Sequence, residues 1–181
     1  MKQSVTSMLL IKLHHSHKVA EYCEQLSTHL GWNKVDIETV MLLGYLHDYG
    51  SLLEILETNS FVHKHDHGFE GYWKFHNSEF NKILTIDQLA AIRYHNNPNL
   101  MESHNEFLKV LRDADKLAIF EFTNSLINAG ELAWHCETYL ECKTTDYCKA
   151  MLGWFGDINY SWTERKLSDM KIRERLEVIL G

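Results

Sequence analysis

The apolar segment LLGYLHDYGS, residues 42–51, places a histidine, His47, directly beside an aspartate, Asp48. On a helix that turns about 100° per residue, apolar residues of the preceding turns and Gly44 lie on the side of His47, and Asp48 follows one step round. The glycine leaves room there for another helix or for an ion. These two side chains are either solvated surface groups or parts of a site in the interior.

The first predicted helix carries a second candidate, His15, within the motif HHSHK. Helical periodicity gives this segment an apolar stripe of Met8, Ile11, Val19, Tyr22, Leu26 and Leu30. His15 lies in the middle of the stripe, whereas His14 and His17 share the polar sides of the helix with charged residues. A single inward histidine can also be a hydrogen-bonded core residue, so His15 alone decides little.

A long helix in the second half of the chain carries the third candidate, Asp115. The residues one and two turns away from it on the same face are apolar: Leu108, Leu111, Ala118, Ile119 and Phe122. Burying an unpaired carboxylate is unfavourable by several kcal/mol or more, so Asp115 must meet a metal, a proton or another cation, with arginine as the alternative partner. Asp113 shares its side with Glu106, Lys109 and Lys116, and we expect solvent around it.

Three separate helices therefore each direct a potential metal ligand towards the interior. Independent structural roles would make this an uncommon coincidence, whereas one shared cation explains all of them. Imidazole and carboxylate are ligand types for zinc, iron or manganese, and helical bundles often build metal sites from facing helices. The sequence thus predicts a metal site between helices.

The elements that position these residues are predicted to be helices, because 3.6-residue periodicity recurs and strand-like alternation is scarce. No repeat or linker-like stretch divides the chain, which favours one all-α domain. We predict helices over 5–30, ended by Gly31; from Asp36, as N-cap, to Tyr49; over 51–57; from His67 onwards; over IDQLAAIRYH behind the capping-box pair Thr85 and Gln88, ending before Pro98; from Ser103 to 128, closed by Gly130; and over 131–151 and 163–180.

The composition is that of an ordinary globular protein, with 45% hydrophobic and 24% charged residues among 181. No run approaches the roughly 18 to 20 apolar residues of a membrane span, and the N-terminus lacks a secretory signal, so we expect a cytoplasmic protein. A net charge of −7 disfavours an extended nucleic-acid surface but permits a small anionic substrate. The cysteines lack CxxC spacing and are expected to be reduced, buried thiols: Cys23, Cys136, Cys142 and Cys148.

The order of these motifs resembles the HD-domain superfamily of metal-dependent phosphohydrolases. HSHKVAEYC is similar to the family's H-S/T-x-x-V-A helix, LLGYLHDYG to its apolar-HD-x-G segment, and VLRDADKLAIF to its A-D-containing helix. The resemblance covers roughly residues 10–122. It implies an HD-domain helical bundle. We expect residues 1–181 to form a single domain, in which the helices of residues 131–181 pack on a core of about residues 10–122. The ligands implied by the three motifs are His15, His47, Asp48 and Asp115.

Two further segments are similar to those of two-metal members of the superfamily. HGFEG reads as H-x-x-x-G and nominates His67, and AIRYHNNP resembles A-I-x-x-H and nominates His95. The resulting order, H…HD…H…H…D, is similar to that of bacterial diadenosine tetraphosphate hydrolases. The alternatives are that His67 belongs to a flexible lid and that His95 interacts with a helix dipole. The resemblance implies one ion on His15, His47, Asp48 and Asp115, and a second on Asp48, His67 and His95, with Asp48 bridging.

The chain also departs from the family pattern. Many two-metal members have lysine three residues after the aspartate of the HD pair, where this chain has Ser51. The phosphate contact of that lysine is therefore unassigned. The glutamate that the nucleotidase subgroup has at this position is also missing. No GYP tripeptide follows the HD pair, which disfavours cyclic-dinucleotide hydrolysis of that type. Residues after about 130 match no motif and are expected to shape the substrate pocket or a dimer surface.

The resemblance implies hydrolysis of a phosphate ester or anhydride, in a nucleotide or another small phosphorylated metabolite, by metal-activated water. Asp48 and His47 are the expected catalytic residues, with one or two divalent ions (Fe, Mn, Zn, Ni, Co or Mg) as cofactor. The candidates for phosphate contact, each of which can equally be a surface cation, are Lys116, Arg93, Arg112 and Lys64. His63 or His65 is a weaker candidate for protonating the leaving group.

Two other functions are compatible with these ligands. Some HD proteins with the same ligands hold two irons and oxidise their substrate with dioxygen, and the sequence does not separate the two chemistries. The third hypothesis is a regulatory module with a structural metal, to which Ser51 in the lysine position lends modest weight. The expected partner is a small phosphorylated molecule, and a homodimer is an open alternative to a monomer.

Overall fold

α-Helices and short 3₁₀ turns form the regular structure of residues 4–62, 65–97 and 104–181, the ranges described by the computed structural model, and no strand occurs within them. This confirms the predicted all-α class. The helices are α1 (Val5–His29), α2 (Lys34–Leu46), α3 (Tyr49–Thr58), α4 (His67–His76), α5 (Ile86–Tyr94), α6 (Glu106–Ala129), α7 (Leu132–Tyr139), α8 (Thr144–Gly153), α9 (Ser161–Met170) and α10 (Ile172–Leu180). None of them, in the part of the chain described, has both the length and the apolar character to cross a bilayer. The sequence predictions at His63, Lys64, Pro98 and Ser103 lie outside the described residues.

The first two helices cross with their backbones in direct contact at Gly44. A β-carbon at this position would lie 2.8 Å from the Cα atom of Ala20 and 2.9 Å from its backbone nitrogen. Only glycine permits this approach, so the space that the sequence indicated beside Gly44 is occupied by α1. The crossing brings the rings of His15 and His47 to a centroid separation of 5.4 Å.

Helix α6 packs against α1, α2 and α5 and contributes much of the hydrophobic core. Three of its large apolar residues, Leu111, Leu117 and Phe120, are wholly inaccessible to solvent. Burial of such side chains stabilises a fold by about 1.5 to 3 kcal/mol each. The helix that carries Asp115 is therefore fixed on several sides by packing.

The predicted helix from Asp36 to Tyr49 is wrong at both ends. Asn33 is the N-cap, because its side chain accepts a hydrogen bond from the backbone nitrogen of Asp36, and α2 begins at Lys34. The helix ends at Leu46, since the backbone angles of Asp48, φ −94° and ψ 15°, interrupt it before α3 begins. The HD pair thus lies in a break between two helices rather than within one.

Several predicted boundaries are confirmed by the capping contacts. Helix α4 begins at His67, where the side chain of Asp66 accepts from the backbone nitrogen of Phe69. Thr85 and Gln88 form both hydrogen bonds of the predicted capping box. The long helix α6 ends immediately before Gly130, and α1 ends one residue short of the predicted Leu30.

The two predicted helices over 131–151 and 163–180 are each divided into two. Glu141 and Lys171 both have a φ of 51°, in the left-handed region that non-glycine residues rarely adopt. Each therefore ends one helix and redirects the chain. The resulting helices α7 to α10 are short, and α7 and α9 pack against α6.

Asp113 is fully buried, which corrects the expectation that solvent surrounds it. Its carboxylate accepts hydrogen bonds from the backbone and side-chain nitrogens of Asn159, at 2.9 and 2.7 Å, and from the backbone nitrogen of Tyr160, at 3.0 Å. Nearby, Lys116 donates to the carbonyl of Asp157 at 2.7 Å, and Glu106 accepts from the hydroxyl of Tyr160 at 2.6 Å. The polar residues on this side of α6 thus bind residues 157–160, the segment that leads into α9.

We predict that Asp113→Ala lowers the free energy of unfolding by about 1 to 3 kcal/mol, because it leaves buried N–H donors without an acceptor. Urea denaturation followed by far-UV circular dichroism measures this change. Asp169→Ala, which alters an exposed carboxylate on α9, is the control and is expected to stay within about 0.5 kcal/mol of the unmodified protein. Equal stability of both variants would contradict this role of Asp113.

Candidate metal centre

Four potential ligand atoms, from three parts of the chain, lie close together. The Nε2 atom of His15 lies 3.0 Å from Oδ1 of Asp115 and 3.6 Å from Oδ2 of Asp48. The Nε2 atom of His47 lies 3.7 and 3.5 Å from the same two oxygens. Ligand atoms about 2.1 Å from a shared cation are about 3.0 to 3.5 Å apart, so these atoms, 3.0 to 3.7 Å apart, are spaced nearly as the ligands of one ion are.

A second group of ligand atoms lies at the other carboxylate oxygen of Asp48. Its Oδ1 atom is 3.3 Å from Nε2 of His67 and 3.8 Å from Nε2 of His95, and these two nitrogens are 3.2 Å apart. Each oxygen of Asp48 therefore faces its own set of donors. Mutual proximity within the described residues also groups His15 with His47 and Asp115, and His47 with Asp48 and His95.

Two of the histidines are oriented by backbone carbonyl groups. Nδ1 of His47 lies 2.7 Å from the carbonyl oxygen of Gly44, and Nδ1 of His95 lies 2.8 Å from that of Ile92. A proton on each Nδ1 leaves the Nε2 lone pair directed into the site, which is the usual arrangement of histidine ligands. Nε2 of His47 is buried and has no hydrogen-bond partner among the described residues. A cation would satisfy this atom.

The charges of the site also favour a cation. Burial lowers the pKa of His47 to about 4, so this imidazole is neutral near pH 7. Burial raises the pKa of Asp48, but the charge of Lys12 and the hydrogen bonds with His67 and His95 lower it and hold it well below the usual value. The pKa of Asp115 is likewise lowered, because its hydrogen bond with His15 opposes the effect of burial. Both carboxylates are therefore ionised.

The two groups of ligands differ little in depth, but the six side chains divide into an inner wall and a mouth. The side chains of His47, Asp48 and His95 are between 0 and 4% exposed. Those at the mouth are between 15 and 19% exposed: His15, His67 and Asp115. A small molecule can therefore reach the site at the three partly exposed ligands.

The lysine Lys12 also belongs to the site, and the sequence reasoning missed it. Its Nζ atom lies 2.7 Å from Oδ2 of Asp48, and its side chain is 17% exposed. Lys12 stands three residues before His15, one turn away on the same side of α1. That spacing was the available signal. For Asp115, the alternative of an arginine partner is not observed among the described residues, where its ion pairs are with His15 and His47.

Close backbone contact positions His67. A β-carbon on Gly50 would lie 2.1 Å from the carbonyl oxygen of His67 and 2.9 Å from the backbone nitrogen of Gly71. The start of α4 is further fixed by Asp66, which accepts from Arg93 at 2.7 Å. His67 is therefore attached to α3 and α5 at the first residue of a helix, rather than placed in a free lid.

Three of the four basic residues predicted to contact phosphate lie in the described part of the chain, and each of them has another partner. Arg93 binds Asp66, with its guanidinium 4.6 Å from the centroid of the Phe69 ring. Arg112 is buried and donates to carbonyl oxygens at the end of α5, those of Tyr94, His95 and Asn97. It therefore positions His95. As noted above, Lys116 donates to the carbonyl of Asp157.

The two weaker candidates for a proton donor are His63 and His65. His65 is exposed, and its backbone nitrogen donates to Oε1 of Glu54 at 3.3 Å. His63 and Lys64 are not among the described residues. The observed site therefore consists of the six candidate ligands and Lys12.

The fold and the site together define an all-α protein with a cluster of histidines and aspartates between its helices. The family model described as HD domain matches residues 13–119, a segment that contains all six candidate ligands. The chain belongs to the HD-domain family, a superfamily of metal-dependent phosphohydrolases. Comparisons with curated proteins and with solved structures gave no match.

We predict that Gly50→Ala moves α4 away from α3, because the new methyl group would overlap the carbonyl of His67. The expected loss of stability is about 1 to 3 kcal/mol, as for other overpacked contacts. Metal bound at the His67–His95 pair should be lost as well. Urea denaturation and metal analysis after dialysis measure the two effects.

Gly71→Ala is the matched control for this substitution. A β-carbon at Gly71 would meet its nearest neighbours at 3.5 Å, an ordinary van der Waals contact. This variant should therefore keep its metal and its stability. If Gly50→Ala behaved like Gly71→Ala, the contact between α3 and α4 would not be what positions His67.

Proposed function

We propose that the protein is a binuclear metal-dependent phosphohydrolase that cleaves a phosphate ester or anhydride of a nucleotide or another small phosphorylated metabolite. The observation that carries this proposal is the position of Asp48, whose two oxygens face separate sets of ligand atoms. A carboxylate in that position can bridge two ions. The family match supports the hydrolase class.

Two ions at this centre would be bound by the sets that the distances define. His15, His47, Asp115 and Oδ2 of Asp48 would bind one, and His67, His95 and Oδ1 of Asp48 the other. Such ions lower the pKa of a bound water and neutralise phosphoryl oxygens. Zinc, iron, manganese, nickel, cobalt and magnesium are all open as the metal; the imidazole-rich ligand set favours a transition metal over magnesium.

Two residues of the inner wall, Asp48 and His47, would position the attacking water and the metal ligands. Asp48 is ionised, so it can accept a hydrogen bond from the attacking water as well as bridge the ions. His47 is neutral and fixed by the Gly44 carbonyl, and it keeps its lone pair directed at the same point. The buried inner wall limits water to the side of the mouth, where the substrate must also enter.

Dioxygen chemistry and a purely structural metal remain the alternatives named from the sequence. They would use the same ligands, and no contact among the described residues favours either of them over hydrolysis. Metal-loaded protein that consumed dioxygen with a substrate, or that kept its cellular role after losing metal, would support them.

We expect purified protein loaded in turn with manganese, zinc, iron, nickel or cobalt to release phosphate or nucleotide from a panel of phosphomonoesters and nucleotides. Asp48→Ala should lower kcat/KM at least about 100-fold, because loss of groups that merely orient metal ligands already costs 10- to 100-fold. His14→Ala, an exposed histidine on α1, is the control and should keep kcat/KM within about twofold. No release with any metal would refute the proposed reaction.

The ligand sets make a separate prediction about metal content. Inductively coupled plasma mass spectrometry should find two ions per chain in the metal-loaded protein. His67→Ala or His95→Ala should leave one ion, because the first set does not include these residues. A single ion in the unmodified protein, unchanged by either substitution, would assign His67 and His95 to another role.

A further inference from the structure

The ammonium group of Lys12 stands at the mouth of the metal centre, in contact with its central carboxylate. Its Nζ atom is 2.7 Å from Oδ2 of Asp48, the oxygen that faces His15 and His47. Among the described residues, Lys12 is the only lysine or arginine within ion-pair distance of the six candidate ligands. It lies one residue before the segment matched by the family model.

In the described part of the chain, the other basic side chains named as candidates for phosphate contact bind groups of the fold itself. Arg112 donates to carbonyls at the end of α5, Arg93 pairs with Asp66, and Lys116 binds the segment before α9. Ser51, at the position where lysine was expected from the resemblance, is short and fully buried. Among the described residues, a cation for a substrate anion must therefore come from another element, and α1 supplies one.

The charge of a metal-loaded centre would favour an anion beside Lys12. Two divalent ions on two carboxylates would leave a surplus of two positive charges. Lys12, which contacts Oδ2 of Asp48, adds a third. This ammonium is attached to a flexible four-carbon stem and is partly exposed, so it can turn from Asp48 towards the mouth. A phosphoryl group is an anion of the required size and charge.

We infer that Lys12 is a substrate-binding residue that pairs with a non-bridging oxygen of the phosphoryl group at the mouth of the centre. The inference rests on the proposed phosphohydrolase function and assigns the phosphate contact left open by Ser51. Lys12 pairs with Asp48 when no anion is bound and exchanges that partner for the phosphoryl oxygen when substrate enters. It forms an ion pair only and takes no part in bond cleavage.

The test is the binding of inorganic phosphate to metal-loaded protein, measured by isothermal titration calorimetry, together with metal content and steady-state kinetics. Lys12→Met should raise the Kd for phosphate about 10- to 100-fold, the usual effect of losing a hydrogen bond between charged groups. KM should rise in parallel. Metal content should not fall, because Lys12 is not a ligand. Lys12→Arg, which retains the charge, should recover part of the binding.

Lys18→Met is the matched control on the same helix. Its ammonium lies 2.9 Å from a carboxylate oxygen of Glu21, away from the metal centre, so removing it should leave the Kd for phosphate within about twofold. A Lys12→Met protein that bound metal more tightly, with an unchanged Kd for phosphate, would overturn the inference and make Lys12 a counter-ion of Asp48 alone.

Failure of this inference can be separated from failure of the proposed function. Unchanged phosphate binding in Lys12→Met, with hydrolysis intact, would overturn the role of Lys12 and leave the reaction standing. Phosphate binding that depends on Lys12, in a protein that hydrolyses nothing in the panel, would uphold the anion contact and overturn the reaction.

Discussion

The structure depends on compensating the charge of one buried carboxylate. Asp48 is almost inaccessible to solvent, and it is ionised. Removal of such a group from water is unfavourable by several kcal/mol or more unless opposite charge is close. The neutral imidazole of His47 provides little compensation, and Lys12 reaches only one of the two oxygens. The two cations of the proposed function would compensate both oxygens, and this would explain why donors converge on the carboxylate from helices distant in the chain.

Close packing of the helix backbones fixes the positions of those donors. Gly44 lets α1 approach α2 until His15 and His47 meet, and Gly50 lets α3 approach the first residue of α4, which is His67. Arg112, from the helix that carries Asp115, caps the carbonyls around His95. The four histidine ligands are thus fixed by backbone contact or by hydrogen bonds to backbone, and such contacts preorganise a metal site.

Helical periodicity was sufficient to find the ligands whose own helices are amphipathic. His15 and Asp115 stand within apolar stripes, and the structure places both at the centre. His67 and His95 lie at helix ends, where periodicity gives no signal, and they came from the resemblance to two-metal proteins. Asp113 was assigned to solvent because its neighbours on α6 are charged. The segment that covers that side, residues 157–160, comes from a part of the chain without a recognisable pattern.

The predicted helix boundaries are wrong in the C-terminal part of the chain, where a single residue adopts an uncommon backbone conformation. Glu141 and Lys171 have positive φ angles, and neither is a residue type that predicts one. Their residue types favour negative φ angles, so the local sequence does not reveal these conformations. The same limit explains why Lys12 was missed. It stands at a helical spacing from His15 that also describes many solvated lysines, and only the position of Asp48, from another helix, distinguishes it from them.

The two sides of α6 connect the C-terminal helices to the metal centre. Asp115 points towards the candidate ligands, while Asp113, two residues earlier, binds the backbone that leads into α9. Since α6 is a continuous helix between these positions, displacement of the C-terminal segment would remove packing from the helix that carries a ligand. Residues beyond the HD-domain match therefore belong to the stability of the centre, although none of them contributes one of its six candidate ligands.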